Sequence, residues 1–246
     1  MVAGMTYCTN TELYADADLA EGEDYTRRYR RHGRFDDDLV QRDDPVKTAV
    51  VAPHGGGIET GTSELCLAVA GYHPATLEVT PPGGVTYDYW MFEGLRRTGN
   101  AALHVTSTGC DDGVARSLCA GALNALALHG CTAAAAGQPE GTELVLVGGR
   151  NLTFKQYLLE AFATAPLPAI DAQPFGALNG DHVDNIANRT LLGMGGHLEL
   201  TTPLRLAMFR VNTREGRKDT TTDVFWAFVE ACRAALARLE AEQPVR

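Results

Sequence analysis

Serine is scarce in this 246-residue chain: only Ser63, Ser107 and Ser117 occur. None sits in a G-x-S-x-G frame, so the run His54-Gly55-Gly56-Gly57, which looks like the oxyanion loop of a lipase, has no nucleophile elbow to serve. Positive charge is short as well, with 21 Lys+Arg against 31 Asp+Glu and a net charge of −10. That balance argues against nonspecific nucleic-acid binding. No run approaches the ~20 apolar residues of a membrane span, so no membrane contact is expected. The six cysteines, at 8, 66, 110, 119, 131 and 232, include no C-x-x-C pair. They read as reduced, mostly buried thiols. The first 24 residues are acidic and lack the basic start and apolar core of a signal peptide, which gives a cytoplasmic expectation.

A hydrophobic content of 45% suits one large α/β domain, and no internal repeat or linker divides it. The domain is expected over 46–246. Ahead of it, 1–45 is a charged segment: a loop or short helix, then Arg27, Arg28, Arg30 and Arg31 followed by Asp36, Asp37 and Asp38, read as solvated helix and loop.

The stretch that organises the chain is 49–64. Ala49–Ala52 is apolar and reads as a buried strand, broken at Pro53 into a glycine-rich turn. His54 and Glu59, both good zinc ligands, sit on that turn with Gly55, Gly56 and Gly57 between them, and the glycines let the backbone fold so that both side chains face one point. Thr62 or Ser63 can then cap a helix running through Glu64, Leu65, Leu67, Ala68 and Ala70. Strand, turn and helix in this order is how α/β enzymes present chemistry at strand carboxyl ends. A phosphate loop is disfavoured, because no Walker lysine follows and the G-x-G-x-x-G spacing fails. A structural His beside a solvated Glu is the bland alternative.

Further strands are expected at 75–79, 87–92, 101–106, 143–149 and 197–201, the first followed by the loop Pro81-Pro82-Gly83-Gly84. Residues 116–128 shift from helical to strand-like spacing. Helices are expected at 152–164, where Phe154, Tyr157, Leu158, Ala161 and Phe162 share a face, at 203–210, and at 222–242. Residues 132–141 and 165–190 read as irregular. His129 stands where a strand ends in a turn, and Glu199 lies in a short apolar run. Two His and one Glu with an open fourth position form a catalytic zinc pattern, and a separate carboxylate is the general base such a site needs. Strand ends can bring these residues together, though spacing alone does not establish it.

The run Pro53–Glu64 resembles the phage-type poly-γ-glutamate hydrolases, as do Phe92-Glu93-Gly94-Leu95, Gly99-Asn100, Leu103–Thr108, His129-Gly130-Cys131, Val147-Gly148-Gly149, Asn188-Arg189 and Leu198-Glu199, in family order from about 48 to 210. The resemblance implies an α/β single domain with a mixed β-sheet flanked by helices, zinc carboxypeptidase-like. It implies one Zn2+ per chain on His54, Glu59 and His129, with Glu199 as general base. The implied substrate is a γ-glutamyl amide in an anionic polymer, and the implied setting is phage-related, with release by lysis. Two rival readings are a zinc amidohydrolase acting on a small γ-glutamyl or acyl-amino acid amide, and a polymer-binding module with structural zinc. An acidic chain acting on a polyanion needs a local basic patch, for which Arg189 and Arg205 are candidates. His104 is a candidate to touch substrate or support a ligand, and Asp111 to orient an imidazole. Where the family has Gln, this chain has His197, which is placed on the strand face opposite Glu199 and given no ligand role. Cys110-Asp111-Asp112-Gly113 replaces a Phe-Asp-Glu-Pro run. Both departures bear on the substrate more than on the metal.

Overall fold

The apolar run at Thr48–Ala52 lies at the middle of a seven-stranded mixed sheet in the computed structural model of the chain, which describes residues 6–33 and 47–243. The elements are α1 (Asn10–Ala15), β1 (Tyr25–Arg30), β2 (Thr48–Gly56), α2 (Thr62–Val69), β3 (Asp88–Gly94), α3 (Gly113–Ala120), β4 (Asn124–Cys131), β5 (Val145–Gly148), α4 (Leu152–Thr164), β6 (Ala169–Asp171), β7 (Gly196–Thr201), α5 (Thr202–Ala207), α6 (Arg214–Arg217) and α7 (Asp223–Ala241). The strand order is β1-β3-β2-β4-β7-β5-β6. β3, β2, β4 and β7 form a parallel block. β1 is antiparallel to β3, and β5 is antiparallel to β7. This is the single-domain, mixed-sheet α/β fold expected.

Successive strand residues point to opposite faces, so a strand covered on both sides reads as an unbroken apolar run. In β2, Val50 and Ala52 enter one core with Leu65 of α2, Phe154 of α4 and Phe228 of α7. Ala49 and Val51 enter the other, with Leu13 of α1 and Leu118 of α3. α4 has the bounds its apolar face predicts, and Asn151 caps it by accepting the Phe154 N–H. It packs on α7 through Phe162 and Phe228, whose rings stack at 5.3 Å.

Four local expectations are corrected. The arginine-rich stretch is an edge strand, β1, and not solvated helix and loop. Tyr25 is buried and stacks on Phe92 at 5.2 Å, while Arg27 lies over the Tyr14 ring and pairs with Glu21 at 2.6 Å. Tyrosine rings and arginine stems thus cover the strand while its charged heads stay wet. The Asp36–Asp38 part of that expectation lies outside the described residues. Residues 75–79 are a turn with one bridge, Tyr72 to Val79, because His73 N–H and Leu77 N–H bond to Glu78 and His73 carbonyls inside the segment. At 101–106 the chain begins with a 3-10 turn, Asn100–Leu103, anchored by the Asn100 amide on both backbone groups of Arg96. The N-cap of α2 is Gly61 at φ 98, with no side-chain cap. Ser63 Oγ instead accepts the Gly56 N–H at 2.9 Å, and Thr62 Oγ1 donates to the Glu59 carbonyl at 2.9 Å. Both hydroxyls brace the glycine-rich loop.

Phe228 is fully buried between α4 and α7. Phe228→Ala should cost ~3–5 kcal/mol, read as a lower denaturant midpoint at unchanged m-value.

Candidate metal centre and active site

β2 delivers His54 at an irregularity: its register with β3 shifts between Ala52 and Gly55. Past it, Gly55 lies so close to β3 that a Cβ would be 2.9 Å from the Phe92 carbonyl and 2.4 Å from Ser63 Oγ. Only glycine fits there. The Glu59 N–H then donates back to the His54 carbonyl at 2.8 Å, closing the loop. The two side chains meet, His54 Nδ1 lying 2.9 Å from Glu59 Oε1.

The neighbouring parallel strand β4 adds His129. Its Nδ1 is 3.1 Å from His54 Nδ1 and 3.6 Å from Glu59 Oε2. The Gly130 N–H donates to Glu59 Oε2 at 2.8 Å. Outer partners fix the rings. His54 Nε2 donates to the Val105 carbonyl at 2.6 Å, which turns Nδ1 toward the centre. His129 Nε2 faces Ser107 Oγ at 3.0 Å. A carbonyl or hydroxyl behind each imidazole is the support that metal-bound histidines use. At the centre, His54 Nδ1, His129 Nδ1 and the Glu59 carboxylate converge on one point, a donor set that suits a cation. Tetrahedral zinc with ~2.0–2.1 Å ligand bonds spaces ligand atoms roughly 3.3 Å apart, and His54 Nδ1 lies 3.1 Å from His129 Nδ1 and 2.9 Å from Glu59 Oε1. The residues fit the metal.

Electrostatics agree. Burial works against charge on Glu59, yet the adjacent His54 and hydrogen bonds from three imidazoles hold its carboxyl well below the usual range. Burial also opposes a proton on His54, but the Glu59 charge outweighs it and raises the group. Burial, with His197 beside it, pushes His129 down to about 3, so it stays neutral as a ligand must.

His104 completes the mouth. Its ring stacks on His54 at 3.8 Å, and its Nε2 lies 3.5 Å from Glu59 Oε1. His54, Glu59 and His104 therefore form a competing trio, with ligand atoms all within 4.8 Å. His129 differs from His104 in being buried and in having a hydroxyl at its far nitrogen, whereas His104 is 31% exposed.

Glu199 sits on β7 in register with His129 and is buried. Burial raises its pKa, although His197 pulls the other way. The expected orientation of His197 is wrong. Residues two apart in a strand share a face, and His197 Nε2 lies 3.1 Å from Glu199 Oε1. Its ring also stacks on His129 at 4.4 Å. Four imidazoles, 104, 54, 129 and 197, thus run in file across the site.

The two arginines stand elsewhere. Arg205 is 6% exposed, and its guanidinium is taken up by the Leu200, Thr60 and Cys131 carbonyls and the Thr202 hydroxyl. It is a strut beneath the loop, with no donor directed to the cleft among these bonds. Arg189 pairs with Asp184 at 2.7 Å. Asp111 accepts the Thr11 N–H and orients no imidazole. The supports Val105, Ser107 and Asn185, the last 3.5 Å from His197 Nδ1, were not anticipated. A backbone carbonyl has no sequence signature, but Ser107, one of three serines in the chain, was there to be weighed.

Comparison with known proteins places this architecture among the hydrolases of γ-linked polyglutamate. The family profile described as poly-gamma-glutamate hydrolase matches residues 19–231, and the chain belongs to that family. A bacteriophage poly-γ-glutamate hydrolase superposes with a TM-score of 0.77 at 26% identity, covering 97% of this chain and 99% of that one. YndL, solved in a zinc-free apo form, superposes at 0.74 and 27% identity over 95% and 98%. In sequence, the SPβ prophage-derived protein YoqZ of Bacillus subtilis (strain 168) is 32% identical over 195 residues, 78% of this chain and 62% of YoqZ. The chain thus spans less than two thirds of that relative. YndL of the same strain is 29% identical over 198 residues, 78% of this chain and 68% of YndL. Among the described residues no helix is long and apolar enough to cross a membrane.

Elemental analysis tests the centre. About one zinc per chain is expected, lost in His54→Ala, Glu59→Gln and His129→Ala and kept in His104→Ala. Zinc kept by His129→Ala and lost by His104→Ala would transfer the third position to His104.

Proposed function

We propose that the protein hydrolyses γ-glutamyl amide bonds of poly-γ-glutamate at a zinc site formed by His54, Glu59 and His129, with Glu199 as general base. The observation that carries this reading is the convergence of two Nδ1 atoms and a carboxylate on one point, beside a buried Glu199. Membership of the family supports the hydrolase class and the substrate. The zinc-free form of YndL supports the identity of the metal.

A bound zinc would lower the pKa of a water and polarise the amide carbonyl. Glu199 takes the proton from the attacking water as its oxygen bonds to the carbonyl carbon. It then delivers that proton to the leaving nitrogen as the C–N bond breaks, so one residue serves as base and then acid. Its raised pKa suits both roles, because a carboxyl nearer the working pH both accepts and returns a proton. His197 holds Glu199 Oε1 at 3.1 Å and fixes the direction in which the carboxylate faces. His104, half-buried at the mouth, is placed to touch substrate.

Glu199→Gln keeps the shape but cannot take a proton. It should retain zinc, fold and polymer binding while turnover falls ~10²–10⁴-fold. Loss of zinc in that variant would make Glu199 a ligand and move the base elsewhere. On the substrate side, the γ-linked polymer should be cut faster than α-polyglutamate, with product analysis as the readout. A preference for small γ-glutamyl amides over the polymer would favour the small-amide reading, and binding without turnover the structural-zinc module.

A further inference from the structure

With Arg205 buried and Arg189 paired, a chain of net charge −10 still needs a place to meet a polyanion. We propose that residues 205–218 form an exosite for the free carboxylates of the polymer, with Arg210, Arg214 and Lys218 as its binding groups. The proposal rests on the poly-γ-glutamate reading above. Each residue of such a polymer keeps its α-carboxylate, because the γ-carboxyl makes the linkage. The substrate is therefore a regular row of negative charges.

Residues 205–218 hold four arginines and one lysine against one acid, Glu215, with Asp219 closing the run. The fold lays this segment along the metal-binding loop at three points. Arg205 Nη1 donates to the Thr60 carbonyl at 2.9 Å. The Phe209 ring meets Gly61, where a Cβ would lie 2.9 Å from it. Arg217 Nη2 donates to the Gly56 carbonyl at 3.2 Å. Arg205 and Arg217 are buried and act as struts, whereas Arg210, Arg214 and Lys218 are exposed. Among the described residues, no carboxylate pairs with Arg210 or Lys218, and Arg214 has only Glu215 at 3.9 Å.

Arg214 and Lys218 also line a cavity of about 220 Å³ with Arg28, Glu64 and Glu93. Both carboxylates are already engaged, Glu64 by Arg217 at 3.0 Å and Glu93 by Arg28 at 3.4 Å. With Glu64 and Glu93 so engaged, Arg214 and Lys218 leave a positive excess beside the loop that carries His54 and Glu59. A second cavity, of about 260 Å³, holds Arg150 and Lys155. Asp181 lines it and Asp171 pairs with Lys155 at 3.0 Å, so its positive charge is largely neutralised.

Binding of fluorescein-labelled poly-γ-glutamate to the Glu199→Gln chain, followed by anisotropy at several salt concentrations, tests the exosite. Adding Arg210→Ala and Lys218→Ala should weaken binding roughly tenfold and flatten its salt dependence. In the active background the same pair should raise KM for the polymer and leave turnover of a γ-glutamyl dipeptide unchanged. Unchanged polymer binding in the pair overturns the exosite, as does an equal loss from Arg150→Ala with Lys155→Ala, or no polymer binding by the parent. If the polymer binds through Arg210 and Lys218 but is never cut, the exosite stands and the hydrolase reading falls.

Discussion

The bond from His54 Nε2 to the Val105 carbonyl fixes the logic of the site. It anchors the back of the ring and turns Nδ1 to the front. Once that is so, the front of His54 meets a carboxylate and a second imidazole across separations that suit a cation. Holding a buried carboxylate against two buried imidazoles costs free energy, and a metal bound there would offset it and stabilise the loop around it. Gly55 pressed against β3, and the Ser63 and Thr62 hydroxyls holding Gly56 and Glu59, are what keep the loop in the geometry that exposes this cost.

Much of this was legible in the chain. Residues 49–52 announced a strand buried on both faces because no polar residue interrupts them. The helix at 152–164 could be bounded because its apolar residues recur at helical spacing. His54 and Glu59 were readable as a pair because three glycines in five residues have few other uses. His129 and Glu199 were harder. Each stands in a mostly apolar strand, and only the parallel register that sets them side by side reveals a shared face. The resemblance to a family supplied what spacing could not.

The failures have physical causes. β1 was hidden because arginine reads as solvent-facing, yet its stem can lie on a tyrosine ring. Arg205 was taken for a substrate clamp because a cation near the site suggests an anion, whereas here backbone carbonyls consume its donors. His197 and Glu199, two apart in one strand, share a face, and their contact follows from that. The Thr62 and Ser63 hydroxyls were expected at the helix start and went to the loop, because the loop had unpaired backbone groups closer at hand.

The edge strand has a bearing on how these molecules behave toward one another. A sheet ends in a row of backbone groups that could template pairing with another chain, and natural proteins guard such margins with charge and brevity. Here one margin is Tyr25–Arg30, where three of six residues are arginine, and the other is the three-residue β6. A partner strand arriving at the first margin would have to desolvate guanidinium groups, and at the second it would find little to pair with. The charges that obscured this strand in the sequence thus also act as a barrier to self-association by strand addition.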